Sequence, residues 1–263
     1  MFMNRNAIEK RQDIPKITVI TVVYNAVNKI EETILSVINQ DYGNIEYIII
    51  DGGSNDGTVE IIKKHTDKIT FWSSSKDSGI YNAMNKGIEK STGIWINFMN
   101  AGDRYVDDNV VSEIFSNKKN TDVDVIFGNS ILEKNNKIQI KQPVVKPVTE
   151  LWKTPVFRHG AMFTKTEIHK NNLFSEHAKY KICADYDFIY KIYTMNYNFK
   201  FIDLYVLVFE EEGISNNLFR NSINNRMIVM SYTKKIKYNL WHFLNILRCF
   251  YIVSRQIKCN NNT

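Results

Sequence analysis

Apolar, β-branched runs that alternate with segments of helical periodicity constrain this chain more than any other feature. Ile17–Val23 (ITVITVV) is a run expected of a buried parallel strand, and Lys29–Asn39 carries Ile30, Ile34, Val37 and Ile38 as a helical stripe. Ile45–Ile50 reads as a second strand and Thr58–His65 as a second helix. Ile69–Trp72, a helix from Ile80 to Lys90, and Ile94–Met99 continue the pattern. Such βα steps over about 90 residues predict an α/β fold with a doubly wound, mostly parallel sheet flanked by helices.

In such sheets ligands bind beyond the carboxyl ends of the strands. The candidate loops are therefore Tyr24-Asn25, Asp51-Gly52-Gly53-Ser54, Ser73 to Gly79, and Asn100-Ala101-Gly102-Asp103. They are small, polar and acidic, which points to a nucleotide-sized polar ligand. The first strand ends in Val22-Val23-Tyr24-Asn25-Ala26 without a glycine, so the GxGxxG dinucleotide fingerprint is absent, as is a GxxxxGK[ST] phosphate loop.

The second half is less regular. Val123–Phe127 reads as a strand, Lys134–Gln142 as an exposed hairpin around Asn135-Asn136, and Pro143, Pro147 and Pro155 bracket a loop. Gly160–Phe163 reads as a strand, Asp185–Met195 as a helix with Phe188, Ile189, Ile192 and Tyr193 on one face, and Phe199–Phe209 as one or two strands. From Ser222 to about Lys258 the chain reads as a helical tail.

Charge sharpens this division. The 263 residues carry a formal net charge of +6, yet Gly213 to Thr263 holds eight basic residues and no Asp or Glu. The body is thus slightly acidic, which argues against a nucleic-acid-binding domain. A basic tail interleaved with Tyr232, Tyr238, Trp241, Phe243, Phe250 and Tyr251 suits either an amphipathic segment on an anionic membrane or a helical pair packed on the body. Met1 to Gln12 has no apolar core of a signal peptide, and Trp241 to Val253, interrupted by Arg248, is too short to span a bilayer. Cys183, Cys249 and Cys259 have no disulfide or zinc spacing. The expected location is cytoplasmic, or peripheral at the inner face of the plasma membrane.

Several pieces, taken in order, resemble the family 2 glycosyltransferases with the GT-A fold. They are Thr21-Val22-Val23-Tyr24-Asn25, Ser36 to Gln40, Ile50-Asp51-Gly52-Gly53-Ser54-Asn55-Asp56-Gly57-Thr58, and Asp77 to Ile88 (DSGIYNAMNKGI). Phe98 to Asp103, His159 to Phe163 and Ala184-Asp185-Tyr186-Asp187 complete the set. The subgroup is similar to bacterial enzymes of exopolysaccharide, capsule or lipopolysaccharide assembly.

The resemblance implies a nucleotide-sugar site at Thr21, Tyr24, Asn25, Asp51, Gly52, Asp77, Asn85, Asn100 and Ala101. Asp51 could accept from the N3–H of a uracil ring, with Gly52 letting the backbone approach the base. Asp103 is the one acid of its loop able to hold a divalent ion, Mn2+ or Mg2+, against the charge of a departing diphosphate. The family's acidic triplet is thinned here to Asn100, Gly102 and Asp103, and Met84 stands where members often carry an arginine. Capping a helix after Tyr105 is the alternative for Asp103. Asp185 is implied as the general base, since an acceptor hydroxyl must lose its proton. His159 is implied near the acceptor or the diphosphate. For Asp56 a plain role at the start of the next helix is expected, and for Trp152 and Phe157 core packing.

The expected organisation is a transferase domain over 1–215, with donor binding in 16–103 and the acceptor and base in 104–215, followed by a tail over 216–263. The expected activity is inverting transfer of a sugar from a nucleotide sugar, UDP-linked, to a hydroxyl of a lipid-linked or growing surface glycan, with the tail serving membrane contact or a homodimer. Two alternatives are a nucleotidyltransferase making an activated sugar and an inactive nucleotide-sugar-binding scaffold.

Overall fold

The structure, a computed structural model, describes residues 14–115, 122–134, 138–176, 183–210, 218–232 and 239–248. The readings at Met1 to Gln12, Asn135-Asn136, the 215/216 boundary, residues 233–238 and residues 249–263 lie outside them.

Residues 16–103 fold as read. Strand β1 (Ile17–Val23) leads to α1 (Ile30–Ile38), β2 (Ile45–Asp51) to α2 (Thr58–Lys64), and β3 (Phe71–Ser74) to α3 (Ile80–Lys90), before β4 (Trp95–Phe98). These strands pair in parallel in the order β3-β2-β1-β4. All seven residues of β1 are buried, as the unbroken run requires. The third strand begins two residues later than expected because Ile48 of β2 pairs with Phe71, while Ile69 is held in the preceding turn.

Beyond β4 the sheet changes direction. Short β5 (Arg104–Tyr105) and α4 (Val110–Phe115) precede β6 (Val125–Lys134), β7 (Ile138–Gln142) and β8 (Met162–Lys165). Then come α5 (Thr166–Asn171), α6 (Ala184–Thr194), β9 (Phe199–Glu210) and α7 (Leu218–Tyr232), and residues 239–248 are helical and termed α8. β8 is antiparallel to both β4 and β6, β9 runs parallel to β6, and β5 closes the edge against β9. The described residues thus form one nine-stranded sheet, β3-β2-β1-β4-β8-β6-β9-β5 with β7 on β6, crossing the boundary expected at residue 103. Its first half is wholly parallel and its second half mixed.

Two apolar clusters cover the two faces. Ile30, Ile34 and Val37 of α1 pack with Ile62 and Val110 on one face, and Met84 and Ile88 of α3 pack with Phe174 and Phe188 on the other. Gly87 brings α3 onto β1, where a β-carbon would lie 2.5 Å from Cγ2 of Ile20. The described parts of the tail, 218–232 and 239–248, are helical. Tyr232 of α7 donates to Asp187 of α6 at 3.0 Å, and Trp241 of α8 meets Trp152 at 5.2 Å between ring centroids.

Candidate active site

The four candidate loops leave the parallel strands in register and share one rim. Gly52 N–H donates to Val23 O (2.9 Å), Ser75 N–H to Asp51 O (3.0 Å) and Ala101 N–H to Val22 O (3.2 Å). The second loop is organised by Asp51, whose buried carboxylate accepts from the amides of Gly53 (3.0 Å) and Ser54 (2.9 Å) and from the hydroxyls of Ser54 and Ser74 (2.5 Å each). With these donors in place it organises its own loop.

The carboxylate presented to the rim is that of Asp77. Its Oδ1 takes the Gly79 N–H at 2.9 Å, and its Oδ2 would lie 2.8 Å from a β-carbon on Gly52. The same hypothetical β-carbon would meet Cδ2 of Tyr24 at 3.4 Å, so Gly52 is the gap that lets Asp77 and Tyr24 converge. Tyr24 is 66 % exposed at the strand end. Asn25 adopts φ 46°, and its Oδ1 accepts from Asn55 N–H while its own N–H donates to Ser54 Oγ. Asp56 accepts from Thr58 N–H at the start of α2, as expected.

Two expected donor-site residues sit elsewhere. Thr21 is fully buried and bonded to Met99 O at 2.7 Å and Tyr47 Oη at 3.0 Å, a core contact under the rim. The amide of Asn85 exchanges two bonds with the backbone of Phe174 (2.9 and 3.0 Å) and donates to Glu176 at 3.0 Å. It docks residues 174–176 instead of meeting a ribose.

The fourth-strand loop carries the acid. Asp103 caps no helix, because Arg104–Tyr105 forms β5 and α4 begins only at Val110. Among the described residues its carboxylate accepts no hydrogen bond, and Oδ1 of Asn100 on the same turn is buried without a partner. Removal from water, opposed by Arg158 and Lys29 and reinforced by Glu210, pushes the Asp103 carboxyl up to about 7. Lys29 pairs with Glu210 beside it. Ala101 sits half-buried on the same turn.

On the other side of the cleft, Asp185 opens α6, half-buried, and accepts from the Tyr81 hydroxyl at 3.2 Å. Asp187, two residues on, turns away to Tyr232. The Asp185 charge acts with burial to push the Cys183 thiol up to about 12. His159 stacks on Phe98 (5.0 Å) with Phe174 at its edge, and its Nε2 is buried without a partner among the described residues. Burial keeps His159 below its ordinary range against the opposing pull of Asp185. Phe157 fills the core against Phe127 at 4.2 Å, and Trp152 packs on α8.

The sequence pattern did not single out Arg158. Its guanidinium lies 4.2 Å from the Phe209 ring centroid, within the field of both Asp103 and Asp185, and forms no ion pair among the described residues. Tyr81 lies inside the motif already quoted, whereas Glu176 and Glu210 carry no local signal at all.

The glycosyl transferase family 2 model matches residues 18–180. An uncharacterized glycosyltransferase of Mycobacterium tuberculosis, Rv1514c, is 37% identical over 100 residues, 38% of each chain. Another, RT0329 of Rickettsia typhi, is 29% identical over 188 residues, 67% of this chain and 58% of that one. The chain therefore matches well under two thirds of the length of these relatives. Among solved structures, S. aureus TarS 1-349 in complex with UDP-GlcNAc superposes with TM-score 0.67 at 17% identity, covering 92% of this chain and 74% of that one. The mannosyltransferase PcManGT from Pyrobaculum calidifontis, in complex with GDP-Man and Mn2+, gives 0.63 at 18% identity, covering 91% and 70%. These two share the GT-A fold with it. With more than half of its length matched by the family model, the chain belongs to glycosyl transferase family 2.

Proposed function

We propose that the protein transfers a sugar from a UDP-linked donor to a hydroxyl of a surface glycan or its lipid-linked precursor, with inversion. The observation that carries the reading is Arg158, a cation without an ion pair among the described residues, stacked on Phe209 within the field of both Asp103 and Asp185. Solved neighbours bind UDP, UDP-GlcNAc and GDP-Man, which supports a nucleotide sugar as donor.

In this reading the base lies between the exposed Tyr24 ring and Asp77, whose Oδ2 accepts the uracil N3–H, and the diphosphate lies over the fourth-strand loop. The donor set there fits a hard divalent ion: Asn100 Oδ1 is an orphaned buried oxygen, Asp103 offers a carboxylate without a donor, and substrate phosphates and water complete such sites. Asn100 and Asp103 would hold a Mn2+ or Mg2+ ion, which when bound would supply charge neutralisation for the departing diphosphate. Arg158 adds a fixed positive charge in a site already partly removed from water, where it is worth more than in solution. Asp185 takes the proton of the acceptor hydroxyl as its oxygen bonds to the anomeric carbon and the carbon–oxygen bond to the diphosphate breaks. A base on one side and the leaving group on the other give single displacement with inversion. Membrane contact through the tail would keep a lipid-linked acceptor at hand.

Thermal stabilisation by UDP, GDP, dTDP and CMP, each with and without manganese, tests the donor site. A melting shift with UDP that grows with manganese is expected, and no shift with any nucleotide overturns the reading. Hydrolysis of a UDP-sugar that disappears in Asp185→Asn separates a working enzyme from a binding scaffold.

A further inference from the structure

On α8, Leu240, Phe243, Leu244 and Leu247 are each at least half exposed (55, 50, 55 and 50 %). At 100° per residue they fall within an arc of about 100°, a single apolar stripe. The opposite side faces the body through Trp241 and the buried His242, both packed on Trp152. The stripe is therefore presented outward while the helix is anchored behind it. The exposed Arg248 borders it, and the segment from Gly213 onward contributes eight basic residues without one acid. Ten residues of helix measure about 15 Å, half of a bilayer's hydrocarbon core, and no helix among the described residues is long and apolar enough to cross a membrane.

We propose that this stripe docks, lying flat, on an anionic bilayer surface. An apolar face bordered by basic residues is the composition of interfacial helices, and anionic lipid supplies the complement to a segment without acids. A second copy of this chain would instead oppose like charges. The inference stands apart from the sugar-transfer reading, since membrane contact is measured without turnover. The full chain is sedimented with vesicles of phosphatidylcholine alone or with roughly one third phosphatidylglycerol. Binding to the anionic vesicles, weakened by high salt and reduced about tenfold or more in the Leu240→Ser, Phe243→Ser, Leu244→Ser, Leu247→Ser variant, is expected. The variant's melting point and UDP-induced shift report that the body stays folded. Wild-type protein left in the supernatant with both vesicles overturns the proposal. So does unchanged binding of the variant, or a concentration-dependent dimer that the variant loses.

A separate observation concerns α3 and the turn before it. Ser78, Tyr81, Asn82 and Asn85, spaced i, i+3, i+4 and i+7, share one helical face and reach the same stretch of the acceptor half. Ser78, Asn82 and Asn85 donate to Glu176 at 3.1, 3.0 and 3.0 Å, Asn85 clamps Phe174, and Tyr81 donates to Asp185. Burial and the Asp185 charge raise the Tyr81 phenol above its ordinary range, so the hydroxyl keeps its proton and donates.

The geometry points to Tyr81 as a positioning residue that fixes the carboxylate of Asp185, its hydroxyl donating to Asp185 Oδ1 at 3.2 Å. This rests on Asp185 as the base. Turnover is followed with whichever of UDP-glucose, UDP-galactose, UDP-N-acetylglucosamine and GDP-mannose is hydrolysed fastest. Tyr81→Phe is expected to lower kcat roughly tenfold with the donor KM unchanged, and to move the acid limb of the pH profile upward. A raised KM with kcat retained, or a superimposable pH profile, overturns the inference. Turnover that survives Asp185→Asn sinks the base assignment itself and this inference with it.

Discussion

The guanidinium of Arg158 lies 4.2 Å from the ring centroid of Phe209, a residue 51 positions later on the last strand of the sheet. The ring holds the cation by its face, which leaves the guanidinium donors free of any carboxylate among the described residues. Within the field of Asp103 and Asp185, it would supply in the proposed reaction the fixed positive charge for the diphosphate that Met84 cannot. Arg158→Ala should lower kcat/KM roughly a hundredfold and weaken the UDP-induced melting shift. Arg158→Lys should recover part of it, since lysine keeps the charge and loses the planar stack. An unchanged UDP shift in the alanine variant rules the contact out.

Asp103 and Asn100 supply the side-chain oxygens of their turn, so removing either should uncouple manganese from nucleotide binding. In Asp103→Ala the shift with UDP alone should persist while the additional shift with manganese vanishes. Manganese dependence that survives the substitution would place the ion elsewhere.

Gly87 is a packing requirement of α3 on β1. In Gly87→Ala the new methyl would lie 2.5 Å from Cγ2 of Ile20, inside contact distance. Overpacking of this kind costs about 1–3 kcal/mol, and each kcal/mol lowers the melting point of a domain this size by roughly 2–4 °C. A variant as stable as the parent would show that the helix slides without cost.

His169 gives stability a pH dependence. It is fully buried, stacked on Phe188 at 4.2 Å with neither ring nitrogen bonded among the described residues, and burial followed by His159 holds its pKa well below 6.5. The folded state keeps the ring neutral, whereas the unfolded chain binds a proton below about 6.5. Its contribution is thus present above that pH and is lost as pH falls from 6.5 toward the folded value. Between pH 6.5 and 5.5 one such group should remove about 1 kcal/mol. Denaturant unfolding measures the slope, and His169→Phe should flatten it; an unaltered slope would assign the dependence to other groups.

The parallel half was legible because its strands β1, β2 and β4 are almost wholly buried and its helices are buried on one face, so periodicity alone separates them. Ile17–Val23 and Ile80–Lys90 appear in the structure with the expected bounds. The loops at the strand ends were legible for the same reason, since a parallel sheet puts all carboxyl ends on one side. Within those loops the division of labour was not. Asp51 and Asp77 are equally acidic and both follow strands, yet one is consumed by its own turn and the other is brought to Tyr24 across Gly52.

Sequence by itself determined the element order of the parallel half, the rim and the family, because each depends on residue pattern within a short window. Tertiary structure alone decided which polar groups remain available. Asn85 became a clamp on Phe174, Thr21 a core bond, and Arg158 a cation stacked on Phe209, through partners lying between 51 and 89 residues away. Hydrogen-bond capacity is finite and short-ranged, so what a side chain can offer a ligand depends on neighbours that only the folded chain supplies.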